Sequence, residues 1–182
     1  IVFGVLFFLS NLDHDKKLNL PQAFLLTALS WLSIAIFGSL PFIFSNIELS
    51  FTDAFFESMS GITTTGSTII TNLSETPKAI LLWRAMLQWL GGIGIIVMAI
   101  TLMPIMNIGG MQLFAISTSS TPEKILPKSK EISVRLILIY SVLTVACAIF
   151  YKIFGMGFFD SIVHSMTTIA TGGFSNYNES IG

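Results

Sequence analysis

Charged side chains are the scarcest feature of this sequence. Only 10% of its 182 residues are charged and 53% are hydrophobic, whereas a soluble domain carries about 25% charged residues. The formal net charge of −1 leaves no basic excess for binding nucleic acid. The single cysteine, Cys147, excludes a disulfide bond within the chain. This composition predicts an integral membrane protein.

Long uncharged stretches divide the sequence. They cover 18–47, 85–122 and 136–151 and contain 30, 38 and 16 residues. A helix needs about 20 apolar residues to cross the hydrocarbon core of a bilayer. The shortest stretch can cross if Arg135 and Lys152 extend their charged ends to the interfaces. We therefore predict membrane-spanning helices at 22–45, 79–106 and 132–154.

Residues 46–78 are too apolar for an ordinary loop and too interrupted for a spanning helix. Within them, 51–60 predict a helix of about 15 Å, half the thickness of the hydrocarbon core. Thr52 is its predicted N-cap and Asp53 lies in its first turn. The run that follows, 61–68, is rich in threonine and contains two glycines. It therefore favours extended backbone.

The second half of the chain repeats this arrangement. A shift of 107 residues aligns 51–66 with 158–173, and seven of the sixteen aligned positions are identical. The identical pairs are Phe51 and Phe158, Asp53 and Asp160, Ser58 and Ser165, Met59 and Met166, Ile62 and Ile169, Thr64 and Thr171, and Gly66 and Gly173. We therefore predict a second half-length helix at 158–169. The fold prediction is an all-α membrane protein built from helix–pore-loop–helix units like those of potassium channels.

The repeat also defines the predicted organisation of the chain. The first, complete repeat covers 13–107, a linker covers 108–131, and the second repeat covers 132–182 without its closing helix. Residues 1–12 are expected to be the end of a preceding spanning helix and its cytoplasmic loop. Because the chain begins inside an apolar run and has no initiator methionine, we expect an internal fragment of a longer protein.

Basic residues predict the orientation in the membrane. Cytoplasmic loops carry an excess of lysine and arginine. Lys16, Lys17, Lys124, Lys128, Lys130 and Arg135 lie on one side of the predicted spans, and Lys78, Arg84 and Lys152 lie on the other. The linker 108–131 is therefore predicted to be cytoplasmic. The segments that follow the two half-length helices, 63–66 and 170–173 (the Gly/Thr segments), are predicted to open to the outer side.

The Gly/Thr segments have a specific physical problem at membrane depth. Irregular backbone is tolerated there only when it is buried in protein or lines a water-filled path. Carbonyl oxygens arranged around an axis can replace the hydration shell of a potassium ion. The carboxyl end of a half-length helix is partially negative and stabilises a cation. Residues 63–66 and 170–173 are therefore predicted to line a cation path.

These motifs resemble the Trk/Ktr potassium transporter family, and most closely its pore-forming membrane subunit of the TrkH type. The resemblance covers nearly the whole chain. It rests on 55–58 (FFES), 61–66 (GITTTG), 82–84 (LWR), 88–94 (QWLGGIG), 110–114 (GMQLF) and 170–174 (ATGGF).

The resemblance implies potassium uptake across the cell inner membrane through a selectivity filter assembled from four repeats. The filter residues it implies are Thr63, Thr64, Thr65, Gly66, Ala170, Thr171, Gly172 and Gly173, with K⁺ held by the backbone carbonyls of Thr64, Thr65, Thr171 and Gly172. The pore-helix residues are Asp53, Glu57, Asp160 and His164. K⁺ is the transported ion, and no covalently bound cofactor is expected. The implied partners are membrane lipid, a second copy of the chain and a cytoplasmic nucleotide-binding regulatory subunit of the TrkA type.

Alternatives remain open from the sequence. One alternative is that the complete protein is a sodium-permeable relative. Another is that it is a non-conducting membrane scaffold. An intramembrane enzyme is not expected, because the interiors of the predicted spans contain no Asp, Glu or His. Arg84 either stabilises the filter electrostatically or reaches the outer headgroups. His164 is interpreted as a hydrogen-bonded packing residue, with gating as the alternative.

Overall fold

The computed structural model describes residues 20–106 and 125–180. Over these two ranges the chain forms helices and irregular segments, with no β-strand. The helices are α1 (Leu20–Ile43), α2 (Phe51–Ile62), α3 (Lys78–Met106), α4 (Ile125–Ile153) and α5 (Phe158–Ile169), and a 3-10 helix covers Leu73–Glu75. The predicted all-α membrane fold class is confirmed.

Three of these helices are long and apolar enough to cross a bilayer by length and composition. The qualifying stretches are Pro21–Ile43, Lys78–Ala99 and Glu131–Ile153. They coincide with the three spans predicted from the sequence. The helix α4 begins at Ile125, so the last part of the predicted linker 108–131 is helical. The predictions for residues 1–19 and 107–124 lie outside the described residues.

The two short helices explain the apolar stretches that cannot span. Each of α2 and α5 has twelve residues, about 18 Å of helix and little more than half of the hydrocarbon core. The prediction that Thr52 caps α2 is wrong, because the helix already begins at Phe51. Ser50 is the N-cap instead: its Oγ accepts a hydrogen bond from the backbone N of Asp53 at 3.2 Å. Ser50 Oγ also donates to Asp53 Oδ2 at 2.7 Å.

Helix α3 lies between the two repeats and packs against all four other helices. A Cβ atom added to Gly91 would overlap the carbonyl oxygen of Ile62 at the end of α2. One added to Gly92 would lie 2.6 Å from the Tyr140 hydroxyl and 3.3 Å from Cα of Ala170, at the end of α5. Two consecutive glycines of α3 therefore let the ends of both short helices approach closely.

Hydrogen bonds from tryptophan side chains fix α3 against the spanning helices on either side. Trp83 Nε1 donates to the carbonyl oxygen of Gly38 on α1 at 2.9 Å. Trp89 Nε1 donates to Thr144 Oγ1 on α4, also at 2.9 Å. Because α3 contacts both repeats in this way, it sets the position of the segments that follow α2 and α5.

Candidate functional site

The helices α2 and α5 end in the same turn. After α2 and after α5, one backbone N–H bonds three residues back and the next bonds five residues back, which defines a Schellman motif. The four bonds are Thr64 N to Gly61 O, Thr65 N to Ser60 O and Thr171 N to Thr168 O, each 2.9 Å, and Gly172 N to Thr167 O, 3.0 Å. Every residue of the first turn corresponds to one of the second by the shift of 107 residues.

A threonine occupies the left-handed position of both turns. The backbone φ angles are 56° at Thr64 and 55° at Thr171. Glycine usually takes this position, and a β-branched residue there is strained by about 1–3 kcal/mol. Two residues further on, φ is 81° at Gly66 and 80° at Gly173. The sequence repeat is therefore also a repeat of unusual backbone conformation.

These turns correct the prediction of extended backbone over 61–68. Gly61 and Ile62 belong to α2, and Thr64 is left-handed. The prediction is wrong at these positions because the helix continues for two residues beyond its predicted end. Irregular backbone starts at Thr65. The same applies after α5, where Ala170 is the C-cap with helical φ and ψ.

The structure brings the segments 63–66 and 170–173 side by side. A Cβ atom on Gly66 would overlap the carbonyl oxygen of Gly172. Among the described residues, apart from its chain neighbours, no atom lies within 4 Å of the Cβ position of Gly173. Gly66 therefore needs to be glycine for two independent reasons, its positive φ and its close approach to the second segment. Ion binding by these residues stays a prediction.

The carbonyl groups predicted to hold K⁺ are not engaged in backbone pairing. Within the described ranges, no hydrogen bond is donated to the carbonyl oxygens of Thr64, Thr65, Thr171 or Gly172. The carboxyl ends of two helices come together here, and each is partially negative. Chemically, such an arrangement of oxygens can coordinate a hard, partly dehydrated cation.

A buried ion pair lies behind the first segment. Arg84 Nε donates to Glu57 Oε1 at 2.7 Å, and the two side chains are 1% and 0% exposed. Glu57 also accepts hydrogen bonds from Thr68 Oγ1, at 2.9 and 3.1 Å, and from the backbone N of Ile69 at 3.1 Å. The carboxylate thus fixes residues just beyond Gly66 to the helix that precedes it.

Arg84 also reaches the residues just beyond the second segment. Its Nη1 donates to the carbonyl oxygen of Ser175 at 3.1 Å, and its guanidinium carbon lies 4.1 Å from the ring centroid of Phe174. Arg84 thus contacts the two residues that follow the second segment, and an electrostatic effect on the filter itself stays a prediction. An arginine within an apolar span needs a partner, and in the structure that partner is Glu57, the buried acidic side chain of α2.

The second repeat has His164 where the first has Glu57. His164 is 1% exposed. Its Nδ1 lies 2.9 Å from the carbonyl oxygen of Asp160 and its Nε2 lies 3.4 Å from Ser175 Oγ. Ser175 is the counterpart of Thr68, so the same pair of positions is joined in both repeats. These contacts favour the packing interpretation of His164.

Asp53 and Asp160, at the starts of α2 and α5, differ in their hydrogen-bond partners. The contacts of Asp53 are with its own N-cap, Ser50. Asp160 accepts hydrogen bonds from Asn176 Nδ2 at 2.7 Å and from the Tyr177 hydroxyl at 3.1 Å. That hydrogen bond to Asp160 raises the pKa of Tyr177, and partial burial adds to the effect. Asp160 therefore fastens the end of the second segment to the start of α5.

Sequence reasoning gave no role to Gln88, which lies one turn after Arg84 on α3. Gln88 is fully buried, and its Oε1 accepts a hydrogen bond from the backbone N of Phe174 at 3.2 Å. A polar amide within an otherwise apolar span is the signal in the sequence that could have identified it.

The chain is similar to known cation transport proteins. The family model described as "TrkH: Cation transport protein" matches residues 1–182. The Trk system potassium uptake protein TrkH of Halomonas elongata is 44% identical over 182 residues, which cover 98% of this chain and 38% of that protein. TrkH of Escherichia coli strain K12 is 45% identical over 185 residues, covering 100% of this chain and 38% of that protein.

A solved structure gives the same result for the fold. The crystal structure of the potassium transporter TrkH from Vibrio parahaemolyticus matches with a TM-score of 0.77 at 44% sequence identity. The match covers 93% of this chain and 33% of that chain. The chain therefore spans little more than a third of the length of these relatives.

Proposed function

The chain belongs to the TrkH family of cation transport proteins, and on that premise we propose that it forms part of a filter for potassium uptake across the inner membrane. Its curated relatives are named Trk system potassium uptake proteins. The observation that carries the proposal is the close approach of Gly66 to the carbonyl oxygen of Gly172. The two segments lie side by side, each at the carboxyl end of a short helix, and their φ angles match at Thr64 and Thr171 and at Gly66 and Gly173.

In this proposal the protein replaces water around the ion with main-chain oxygens. The carbonyls of Thr64, Thr65, Thr171 and Gly172 would supply half of the coordination, and further repeats of the longer protein would supply the rest. These oxygens accept no hydrogen bond elsewhere in the described structure. No hydrogen bond therefore has to be broken when the ion enters. The partially negative ends of α2 and α5 add attraction for a cation.

The orientation and the partners are part of the proposal. The excess of basic residues in 11–19 and 107–135 favours a cytoplasmic linker at 108–131 and filter segments that open outward. The family resemblance implies two protein partners. A second copy of the chain would bind within the membrane, and a cytoplasmic nucleotide-binding subunit of the TrkA type would bind from the cytoplasm.

The test is potassium uptake by the full-length protein in cells that lack their own importers. The unmodified protein should restore growth at low potassium. Gly66→Ser and Gly173→Ser should each lower the discrimination of K⁺ over Na⁺ by about tenfold or more, which corresponds to about 1.4 kcal/mol. The physical reason is that a side chain at φ near 80° forces the backbone, and its carbonyls, to move.

Gly155→Ser is the matched control. Gly155 has a φ of 99°, and like Gly173 it has no atom of the described residues, apart from its chain neighbours, within 4 Å of its Cβ position. It lies in the turn between α4 and α5. Unchanged discrimination in Gly66→Ser and Gly173→Ser, or an equal loss in Gly155→Ser, would remove the filter assignment. Equal uptake of both ions by the unmodified protein would favour the sodium-permeable alternative.

A further inference from the structure

Two side chains of α3 hold the chain that follows the second segment. Arg84 and Gln88 are four residues apart and therefore lie on the same face of α3. Arg84 bonds to the carbonyl oxygen of Ser175, and Gln88 bonds to the backbone N of Phe174. Successive turns of α3 thus hold consecutive residues of the segment that leaves Gly173.

Gln88 also explains why residue 172 is glycine. Gly172 has no positive φ, so its backbone conformation does not require glycine. A Cβ atom there would overlap the side-chain amide of Gln88, lying 2.7 Å from Nε2 and closer still to Cδ and Oε1. The first repeat has Thr65 at the equivalent position. The repeat is therefore broken at the position that Gln88 contacts.

The amide nitrogen of Gln88 points to a role beyond packing. Among the described residues, Nε2 is buried without a hydrogen-bond partner, and such an orphan donor is destabilising. Nε2 lies 3.7 Å from the Cβ position of Gly66. The amide therefore occupies the junction where the first segment, the second segment and α3 meet.

We propose that Gln88 is a positioning residue that sets the separation between the two filter segments and thereby the discrimination between K⁺ and Na⁺. It holds the second segment through Phe174 N and occupies the space beside Gly172, whose carbonyl oxygen lies against Gly66. This inference rests on the proposed function of 63–66 and 170–173 as filter segments. A shift of Gly172 would change the distances from its carbonyl oxygen to a bound ion.

The experiment uses the full-length protein and measures uptake of K⁺ and Na⁺ separately, together with the amount of folded protein. Gln88→Met keeps the length of the side chain and removes the amide. Gly172→Ala adds the methyl group that would overlap it. Each variant should lower the K⁺ over Na⁺ ratio by about tenfold, which corresponds to about 1.4 kcal/mol.

A double variant tests the spatial argument. In Gly172→Ala with Gln88→Ala, the shorter side chain leaves room for the new methyl group, so the ratio should be higher than in Gly172→Ala alone. Thr144→Val is the matched control, because it removes the buried partner of Trp89 on α4 and the hydrogen bonds of Thr144 are with Trp89 and Tyr140. It should lower the stability of the protein and leave the ratio unchanged.

The outcomes separate this inference from the proposed function. If Gly66→Ser and Gly173→Ser leave the ratio unchanged, the filter assignment itself is lost. If those two variants lower the ratio while Gln88→Met lowers K⁺ and Na⁺ uptake equally, Gln88 is only structural and the inference is overturned. Additive losses in the double variant would also overturn it, because they would show that the two side chains do not share one space.

Discussion

Breaking the buried ion pair tests how the two segments are held together. Replacing Arg84 with methionine keeps an unbranched side chain and leaves Glu57 buried without its cation. Removing one partner of a buried pair typically costs about 3–5 kcal/mol. We therefore expect a loss of about 3–5 kcal/mol in the free energy of unfolding. The measurement is thermal unfolding of the purified full-length protein in detergent, followed by intrinsic fluorescence.

Two further variants decide the cause of the loss. Glu57→Gln combined with Arg84→Met removes both charges and keeps an acceptor for the backbone N of Ile69. It should recover more than half of the stability lost in Arg84→Met. Lys78→Met removes an exposed cation from the same helix, 5.6 Å from the centroid of the Phe159 ring, and should cost less than about 1 kcal/mol. A double variant as unstable as the sum of the two single variants would refute the coupling.

Two other predictions concern the backbone of the site. Thr64→Gly and Thr171→Gly should each raise the unfolding temperature, because relief of about 1–2 kcal/mol of left-handed strain exceeds the entropy cost of about 0.5–1 kcal/mol; a lower temperature in thermal unfolding would contradict the left-handed assignment. Gly91→Ala should destabilise the protein by about 1–3 kcal/mol, because its Cβ atom overlaps the carbonyl oxygen of Ile62. Gly94→Ala, which makes only an ordinary 3.7 Å contact with Trp31, should change the unfolding temperature little.

The sequence predicts the helices well because their signals are local. An uncharged run long enough to span, or half that length, is visible without any knowledge of neighbours. The repeat adds the positions of Thr64 and Gly66, since each has an identical counterpart. The conformation of Thr64 could not be predicted in this way. Threonine favours extended backbone on average, but the end of α2 imposes a left-handed residue at that point.

The contacts behind the filter segments required the structure. Arg84 and Glu57 are 27 residues apart, and Gln88 and Phe174 are 86 residues apart. Each pair joins different elements, so neither appears as a short motif. In the sequence, two polar side chains four residues apart in an otherwise apolar span would have indicated a polar neighbour on that face of α3. The identity of that neighbour depends on which segment packs there.

The ion pair of Glu57 and Arg84 is better explained by the backbone groups that it holds in place than by a contribution to the stability of the fold. Replacing a buried pair with apolar residues of similar volume is often neutral or stabilising, so stability alone does not account for Glu57 and Arg84. Apolar residues, however, could neither accept the hydrogen bond from Ile69 N nor donate one to the carbonyl oxygen of Ser175. These two bonds hold the chain just beyond Gly66 in the first repeat and just beyond Gly173 in the second. A single pair thus connects both segments to α3, and a change in either side chain should alter the separation between them.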